Sequence, residues 1–501
     1  MSAVTANTDR DGTVARALGH GDLHPVRRLD AIIVAVVGAL VAGFGFWIPN
    51  FWGDEEATHN AIDRPLGGLI EMVTQQVDAV HAVYYLLMMP WAPLVGVEPA
   101  LLRLPSALLV GVAVAGTVVL GQRLVGRSAG ILAGTVLFLL PAVTDMGIEA
   151  RSYPWSVAVA TWLTVVLLQA LSDGRTRWWV GYGLLASLTI ALFLNNALVI
   201  VAHGLAVLIT RPGLRVLVRF VVATAVGALL ASPVVLLSFG QRGQVGWIQE
   251  VGRHTAGQVL LEQWFRDAIG FAVVGWAIAI IVVVAGLTRA RRLRPLLTIV
   301  LPWLLLPTTL LVLVSVVLPL YTPRYLATGA PALALLIGTG LSLVPWRVVR
   351  VVAVLGLAAL TAGTYVAQRQ PLRFATEWRE TAAFLEERAQ PGDALLFNDV
   401  AYAPSDYTRG TLSFYGDRLS AFDDVALLES HRSNGRLRDD VVDITTLEER
   451  LRDVDAIWVV WPDALAWDDS DIAEALRAAG LELTDATSLQ YTELRYFERT
   501  P

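Results

Sequence analysis

Two residue types are missing outright. The 501-residue chain has no cysteine, which excludes disulfides, thiolate metal sites and thiol nucleophiles. It has no lysine either, so every fixed side-chain cation is an arginine and lysine Schiff-base chemistry is excluded. Charge of either sign is scarce, at 16% of residues against 55% hydrophobic. Mean hydropathy is +0.57. A soluble globular protein and a nucleic-acid binder are both excluded by that balance, and a polytopic α-helical membrane protein is indicated. The net charge of −6 says little. The charges are segregated, with arginine in short loops and acid in the C-terminal tail.

The apolar run Ala31–Ile48 follows Arg27 and Arg28 and is about long enough to cross a bilayer core. It ends in Phe46-Trp47-Ile48-Pro49 without a small-residue cleavage site, so it reads as an uncleaved span. The arginines place residues 1–30 in the cytoplasm as an N-terminal tail. The next apolar stretch, Val80–Val97, decides the topology. If it spans, every later arginine cluster falls outside. If it lies in the outer interface, the clusters at Arg123/Arg127, Arg175/Arg177, Arg211/Arg215/Arg219, Arg289–Arg294 and Arg347/Arg350 all fall on the cytoplasmic side. Pro90, Pro93, Tyr84, Tyr85 and Trp91 suit an interfacial helix. Eleven spans follow, at 31–48, 103–122, 128–146, 154–172, 178–194, 197–210, 216–239, 268–288, 296–319, 326–345 and 350–367. Residues 31–367 are thus a membrane domain in the plasma membrane, and residues 368–501 are extracytoplasmic. That tail alternates helix patterns (Thr376–Arg388, Leu447–Arg452, Ile472–Ala479 with Gly480 as its cap) with strand patterns (Ala394–Phe397, Ile457–Trp461, Ser488–Glu498), which predicts a small α/β domain.

This topology gathers candidate residues on the outer face. Trp52-Gly53-Asp54-Glu55-Glu56 follows the first span, with His59, Glu71 and His81 beyond. Glu149-Ala150-Arg151-Ser152-Tyr153 and Tyr321-Thr322-Pro323-Arg324-Tyr325 sit at later span boundaries. Arg151 and Arg324 break the charge bias of the other loops, as ligands of a phosphate would. Arg242, Arg253, His254 and Arg266 lie in a longer loop where that bias is weak. An ion pair of Glu149 with Arg151, or snorkelling of Arg324, would explain those residues without function. His203, inside a span, reads as a hydrogen-bonded core histidine.

An outer-face carboxylate and two arginines suit one chemistry in particular. A sugar carried on a lipid phosphate is already activated. Its transfer needs a base for the acceptor hydroxyl proton and cations for the departing phosphate. Asp54 is the candidate base and Glu55 its neighbouring alternative. Glu149, Arg151, Tyr153, Arg324, Tyr325 and His81 are candidate substrate and phosphate contacts. A transporter or flippase without transferase activity is the competing class. It calls for proton-carrying residues deep in the spans and repeated halves, neither of which is evident. Asp54, Glu55, His59 and Glu149 could together form a hard oxygen–nitrogen metal site for Mg or Mn, with Asp54 and Glu149 as the first candidates. With two arginines for the phosphate, no cofactor is expected to be obligatory.

These features in this order resemble the GT-C superfamily, and the glycosyltransferase family 39 type in particular, which includes protein O-mannosyltransferases and aminoarabinose transferases. The resemblance rests on Asp54-Glu55, His81-Ala82-Val83-Tyr84-Tyr85, Leu102-Arg103-Leu104-Pro105-Ser106, Glu149-Ala150-Arg151-Ser152-Tyr153 and Pro323-Arg324-Tyr325-Leu326, over residues 31–345. It implies a GT-C membrane domain with an interfacial helix, Asp54 as base or acceptor-orienting group, and Glu149 and Arg151 in the same cavity. It implies a polyprenyl-phosphate sugar donor, with a hexose, mannose first, moved to a protein, glycolipid or polysaccharide acceptor outside the cytoplasm. Ala82-Val83 departs from the proline that usually follows the residue matching His81, and the tail does not resemble the carbohydrate-binding module of eukaryotic protein mannosyltransferases.

Overall fold

The structure is a computed structural model that describes residues 23–95, 99–399, 407–467 and 470–499. Most of the expected N-terminal tail (residues 1–22) lies outside them. The contacts divide the chain into two units: Met1–Phe46, Asp78–Tyr84 and Arg103–Ala367 in one; Trp47–Val77, Tyr85–Leu102 and Gln368–Pro501 in the other.

The first unit is a helical bundle. Each of the eleven predicted stretches carries a helix, from Arg28–Gly43 and Pro99–Leu124 through Ile269–Thr288, Arg294–Ser315 and Arg347–Ala367. Among the described residues, seven helices are long and apolar enough to cross a membrane, and Arg127–Leu139 and Leu194–Ile209 are shorter apolar ones. Helices are the expected solution, because they satisfy every backbone polar group within one segment. Small residues let these helices approach closely. A Cβ on Gly338 would lie 2.3 Å from the backbone nitrogen of Ala133, so helices Ala330–Ser342 and Arg127–Leu139 meet backbone to backbone. His203 is fully buried, with Nε2 3.0 Å from Thr164 Oγ1 and Nδ1 3.1 Å from Tyr182 OH, a core histidine as expected.

The second unit contains the α/β fold of the tail. Seven strands are present among the described residues: β1 Ala394–Phe397, β2 Asp423–Asp424, β3 Leu427–Glu429, β4 Asp440–Val441, β5 Ala456–Pro462, β6 Leu481–Ser488 and β7 Thr492–Arg499. Five form a sheet in the order β2-β1-β5-β7-β6, parallel from β2 to β5 and antiparallel beyond. Central β5 is buried over most of its length, as its continuous apolar run requires. One expectation needs correction, and one strand was not expected. Ser488 ends β6 and the last strand begins only at Thr492, so residues 489–491 are a hairpin turn. Strand β6 escaped notice because nearly all of its side chains are exposed, which leaves an edge strand without alternation. Gly480 does follow the helix Asp471–Ala478 in the left-handed region, at φ +76°.

The polar stretch after the first span, read from the sequence without secondary structure, belongs to this second unit. It folds as a helix, Gly53–Ile62, followed by Leu66–Glu71 and a π turn, Met72–Gln76. Asn50 Nδ2 donates to the Thr376 carbonyl at 2.9 Å, and Thr376 Oγ1 donates to the Phe51 carbonyl at 2.6 Å. Residues 50 and 376 therefore lie on one side of the membrane, and an even number of crossings must separate them. The stretch at 80–97 breaks into helices of 7 and 4 residues, Ala82–Met88 and Ala92–Val95. Neither approaches the roughly 20 residues needed to span.

Candidate functional site

In the bundle, segments at one end bring six of the predicted residues together. Helix Tyr153–Asp173 begins with Pro154 just inside its first turn, and the residues before it turn back into the bundle. Ser106 Oγ donates to the Glu149 carbonyl at 2.6 Å and fixes that turn. Glu149 and Arg151 are both buried, 8% and 6% exposed. Arg151 Nη2 lies 3.0 Å from His81 Nε2, and Ser152 Oγ lies 3.1 Å from His81 Nδ1. A guanidinium can only donate, so His81 Nε2 must accept. The ring is then the neutral Nδ1–H tautomer, donating to Ser152. His81 thus aims Arg151 and cannot at the same time be a cation for phosphate.

Aromatic rings surround the pair. Phe193 stacks on His81 with centroids 5.6 Å apart, and Tyr325 meets Phe193 edge-on at 4.7 Å. Tyr153 stacks loosely on Tyr325 at 6.4 Å. Arg324 lies over the rings of Tyr153 at 6.0 Å and Trp247 at 5.4 Å. Upstream, Gln241 and Gln244 accept hydrogen bonds from the backbone of Ala79 and Asp78, which fixes the turn before His81. Arg266 forms an ion pair of 2.6 Å with buried Asp145, so this arginine already has a carboxylate partner. Arg266 holds φ at +50°, a strained backbone for a side-chain-bearing residue.

Asp54, Glu55 and Glu56 form the acidic first turn of helix Gly53–Ile62, where carboxylates suit the positive end of the helix dipole. Asp54 is partly exposed, whereas Glu55 and Glu56 are wholly buried. The tail holds this helix from several sides. Arg438 pairs with Glu56 at 3.1 Å, and Ser413 Oγ donates to the same carboxylate at 3.1 Å. Phe51 stacks on Phe414 at 3.7 Å and Trp52 on Phe374 at 4.6 Å. At the other end of the helix, Asp63 pairs with Arg432 at 2.7 Å, and Arg64 donates to the Arg436 carbonyl at 2.8 Å. His431 Nδ1 lies 2.7 Å from Asp439. Burial alone would lower the His431 pKa, but its hydrogen bond to Asp439 and the nearby carboxylate of Asp63 raise it above the ordinary value. Burial alone would raise that of Asp439, but bonding to His431 brings it down to about 2. His59 is buried and its pKa is lowered to about 4 by desolvation. Glu56, Arg438, Ser413, His431 and Asp439 were not singled out from the sequence as an assembly, because charged residues in surface loops give no periodic signal of their partners.

The whole chain can be set beside solved structures. ArnT from Cupriavidus metallidurans in the apo state matches with a TM-score of 0.59 and 16% identity, over 93% of this chain and 97% of that one. The same protein bound to undecaprenyl phosphate matches with a TM-score of 0.59, at 15% identity, over the same shares. The chain has the GT-C fold. The mycobacterial arabinofuranosyltransferase AftD matches at 0.53 and 16% identity, over 96% of this chain but 40% of that one. No family model and no curated protein matches the chain. The polytopic helical membrane domain followed by an α/β domain agrees with the fold class read from the sequence.

Among the described residues, no three histidine, aspartate or glutamate side chains gather as a metal site. The expectation that Asp54 and Glu149 could ligate Mg or Mn therefore gains no support from a ready-made cluster.

Proposed function

We propose that the protein is a glycosyltransferase that moves a sugar from a polyprenyl-phosphate donor to an acceptor hydroxyl outside the cytoplasm, with a hexose, mannose first, as the sugar. The observation that carries this reading is the pre-aimed pair of arginines at one end of the bundle, Arg151 held by His81 and Arg324 held between Tyr153 and Trp247. Fixed guanidinium groups among aromatic rings suit a phosphate that gains charge as it leaves. Support also comes from the shared fold with ArnT, solved with undecaprenyl phosphate, and with AftD, named as an arabinofuranosyltransferase.

In this reading Asp54 takes the proton of the acceptor hydroxyl as its oxygen bonds to the anomeric carbon. The bond from that carbon to the phosphate oxygen breaks, and the lipid phosphate departs with the electron pair. Arg151 and Arg324 take up its charge, while Tyr153 and Tyr325 wall the sugar. Glu55 and Glu149 are further acidic contacts, and His81 acts through Arg151. No divalent cation is required. The acceptor is a protein, a glycolipid or a polysaccharide. The N-terminus is cytoplasmic, and residues 368–501 form the extracytoplasmic domain that follows the membrane domain 31–367.

The test is transfer of labelled mannose from polyprenyl-phosphate mannose in isolated membranes, with wild type and Asp54→Asn at matched protein levels. Asparagine keeps the shape and removes the base. Transfer is expected in the wild type and should fall by about 10²-fold or more in the variant. Equal transfer by both would exclude Asp54 as the base. Transfer by wild type from an arabinose or glucose donor in place of mannose would correct the sugar and leave the reaction class standing. Chelation with EDTA is expected to leave transfer unchanged.

A further inference from the structure

An apolar groove of about 590 Å³ lies in the bundle at the arginine-rich end, away from the residues discussed so far. Leu205 and Ile209 line one wall, Leu287 another, and Leu301 and Leu305 lie along helix Arg294–Ser315, with buried Pro302 in the floor. Leu287 and Leu305 are 62% and 53% exposed, so the protein itself does not close the groove. Arg294, the first residue of that helix, lines one end and Thr309 the other. Arg289, Arg291 and Arg292 are exposed in the turn just before Arg294. An apolar trench with a cation at one mouth is complementary to a molecule with an anionic head and a hydrocarbon tail.

Length decides which such molecule. Fifteen residues separate Arg294 from Thr309, a rise of ~22 Å along the helix. One leaflet of a bilayer, headgroup included, is half of the full thickness, or about 20–22 Å. The groove therefore matches one phospholipid standing in one leaflet, with its phosphate at Arg294 and its chain reaching the bilayer centre. Basic pockets between spans on the arginine-rich side are where anionic headgroups bind. We propose that this groove is a binding site for one anionic phospholipid of the leaflet at the arginine-rich end. Arg294 binds the phosphate, and an acyl chain lies along Thr298, Leu301 and Leu305.

The experiment uses the full chain in nanodiscs of phosphatidylcholine, with or without phosphatidylglycerol. Phosphatidylglycerol is expected to raise the unfolding midpoint of the wild type by about 2–4 °C. Arg294→Gln should abolish that rise, and so should Leu301→Trp, which keeps the charge and fills the trench. Arg291→Gln, one turn away and outside the groove, should keep it. Mass spectrometry of the detergent-purified protein should find retained anionic phospholipid in the wild type and its loss in Arg294→Gln. The proposal is overturned if phosphatidylglycerol does not stabilise the wild type. It is equally overturned if Arg294→Gln responds as the wild type does, or if Arg291→Gln loses as much as Arg294→Gln, because the lipid would then be answering to bulk charge.

Discussion

The acidic helix Gly53–Ile62 and the Arg151 cluster are held by opposite means. Charge holds the helix. Its buried Glu56 is met by Arg438, a residue 382 positions away, and its end is met by Arg432 through Asp63. Rings and a hydrogen bond to a neutral imidazole hold the arginine cluster, through His81, Phe193 and Tyr325. The difference teaches where each region is fragile. Removing a cation from the helix leaves a buried carboxylate with less compensation, which is costly. Trimming a ring in the cluster loosens an arginine but leaves its hydrogen-bond partner in place, which costs less in stability and more in chemistry.

The largest effect that would test the contrast is on activity. Arg151→Ala is expected to lower transfer by about 10²- to 10³-fold, the usual loss for one fixed donor to a developing charge. Arg151→Lys should recover little, since an ammonium cannot reproduce the fork that reaches both His81 and a phosphate. The unfolding midpoint should barely move in either variant. A loss of stability as large as the loss of activity would make Arg151 a structural residue.

Arg438→Ala should show the reverse pattern. Glu56 stays buried after its cation is removed, and a cost of roughly 2–3 kcal/mol follows for a charge-assisted bond to a buried carboxylate. Thermal or denaturant unfolding of the purified chain reads this directly. Glu56→Gln in the same background should restore part of the loss, because the buried charge is then gone. Additive losses in the double variant would break the comparison.

A smaller effect follows from pH. His431 has a raised pKa, so its contribution is complete below its unfolded value of about 6.5 and is lost as pH rises through the higher folded value. Asp439 has a lowered pKa, so its contribution is complete above 3.8 and is lost as pH falls toward about 2. Stability from this pair should therefore plateau between about pH 4 and 6.5 and decline on both sides. His431→Gln is expected to flatten the alkaline limb of the unfolding midpoint plotted against pH.

The bundle was legible because a membrane imposes a coarse and repeated rule. Runs of about twenty apolar residues are enough to place the helices, and the prolines and aromatic residues of 80–97 marked a stretch that breaks into two short helices. Arg151 and Arg324 were legible as exceptions to the charge bias of the other loops. Helix Gly53–Ile62 was hidden because its sequence has no apolar stripe, although three acids after Trp52 are a first-turn signature. Strand β6 was hidden by its exposure on both faces. The contacts of Glu56 with Ser413 and Arg438 were out of reach, because they depend on where the short helix Gly410–Tyr415 and the loop between β3 and β4 come to lie, and no local pattern encodes that.

The finest test concerns the proton on His81. If Nε2 accepts from Arg151, then Nδ1 carries the hydrogen and Ser152 Oγ receives it. Ser152→Ala removes that acceptor from a buried ring and leaves Arg151 in place. The cost is that of one neutral hydrogen bond, about 0.5–1.5 kcal/mol, or a 2- to 10-fold fall in transfer. Ser152→Thr keeps the hydroxyl and should transfer as the wild type does. His81→Gln keeps an acceptor for Arg151 and should fall between Ser152→Ala and Arg151→Ala, whereas His81→Phe, which offers no acceptor, should approach Arg151→Ala. If His81→Phe transfers as well as the wild type, the guanidinium does not need the imidazole to aim it, and the ring cluster alone holds the arginine.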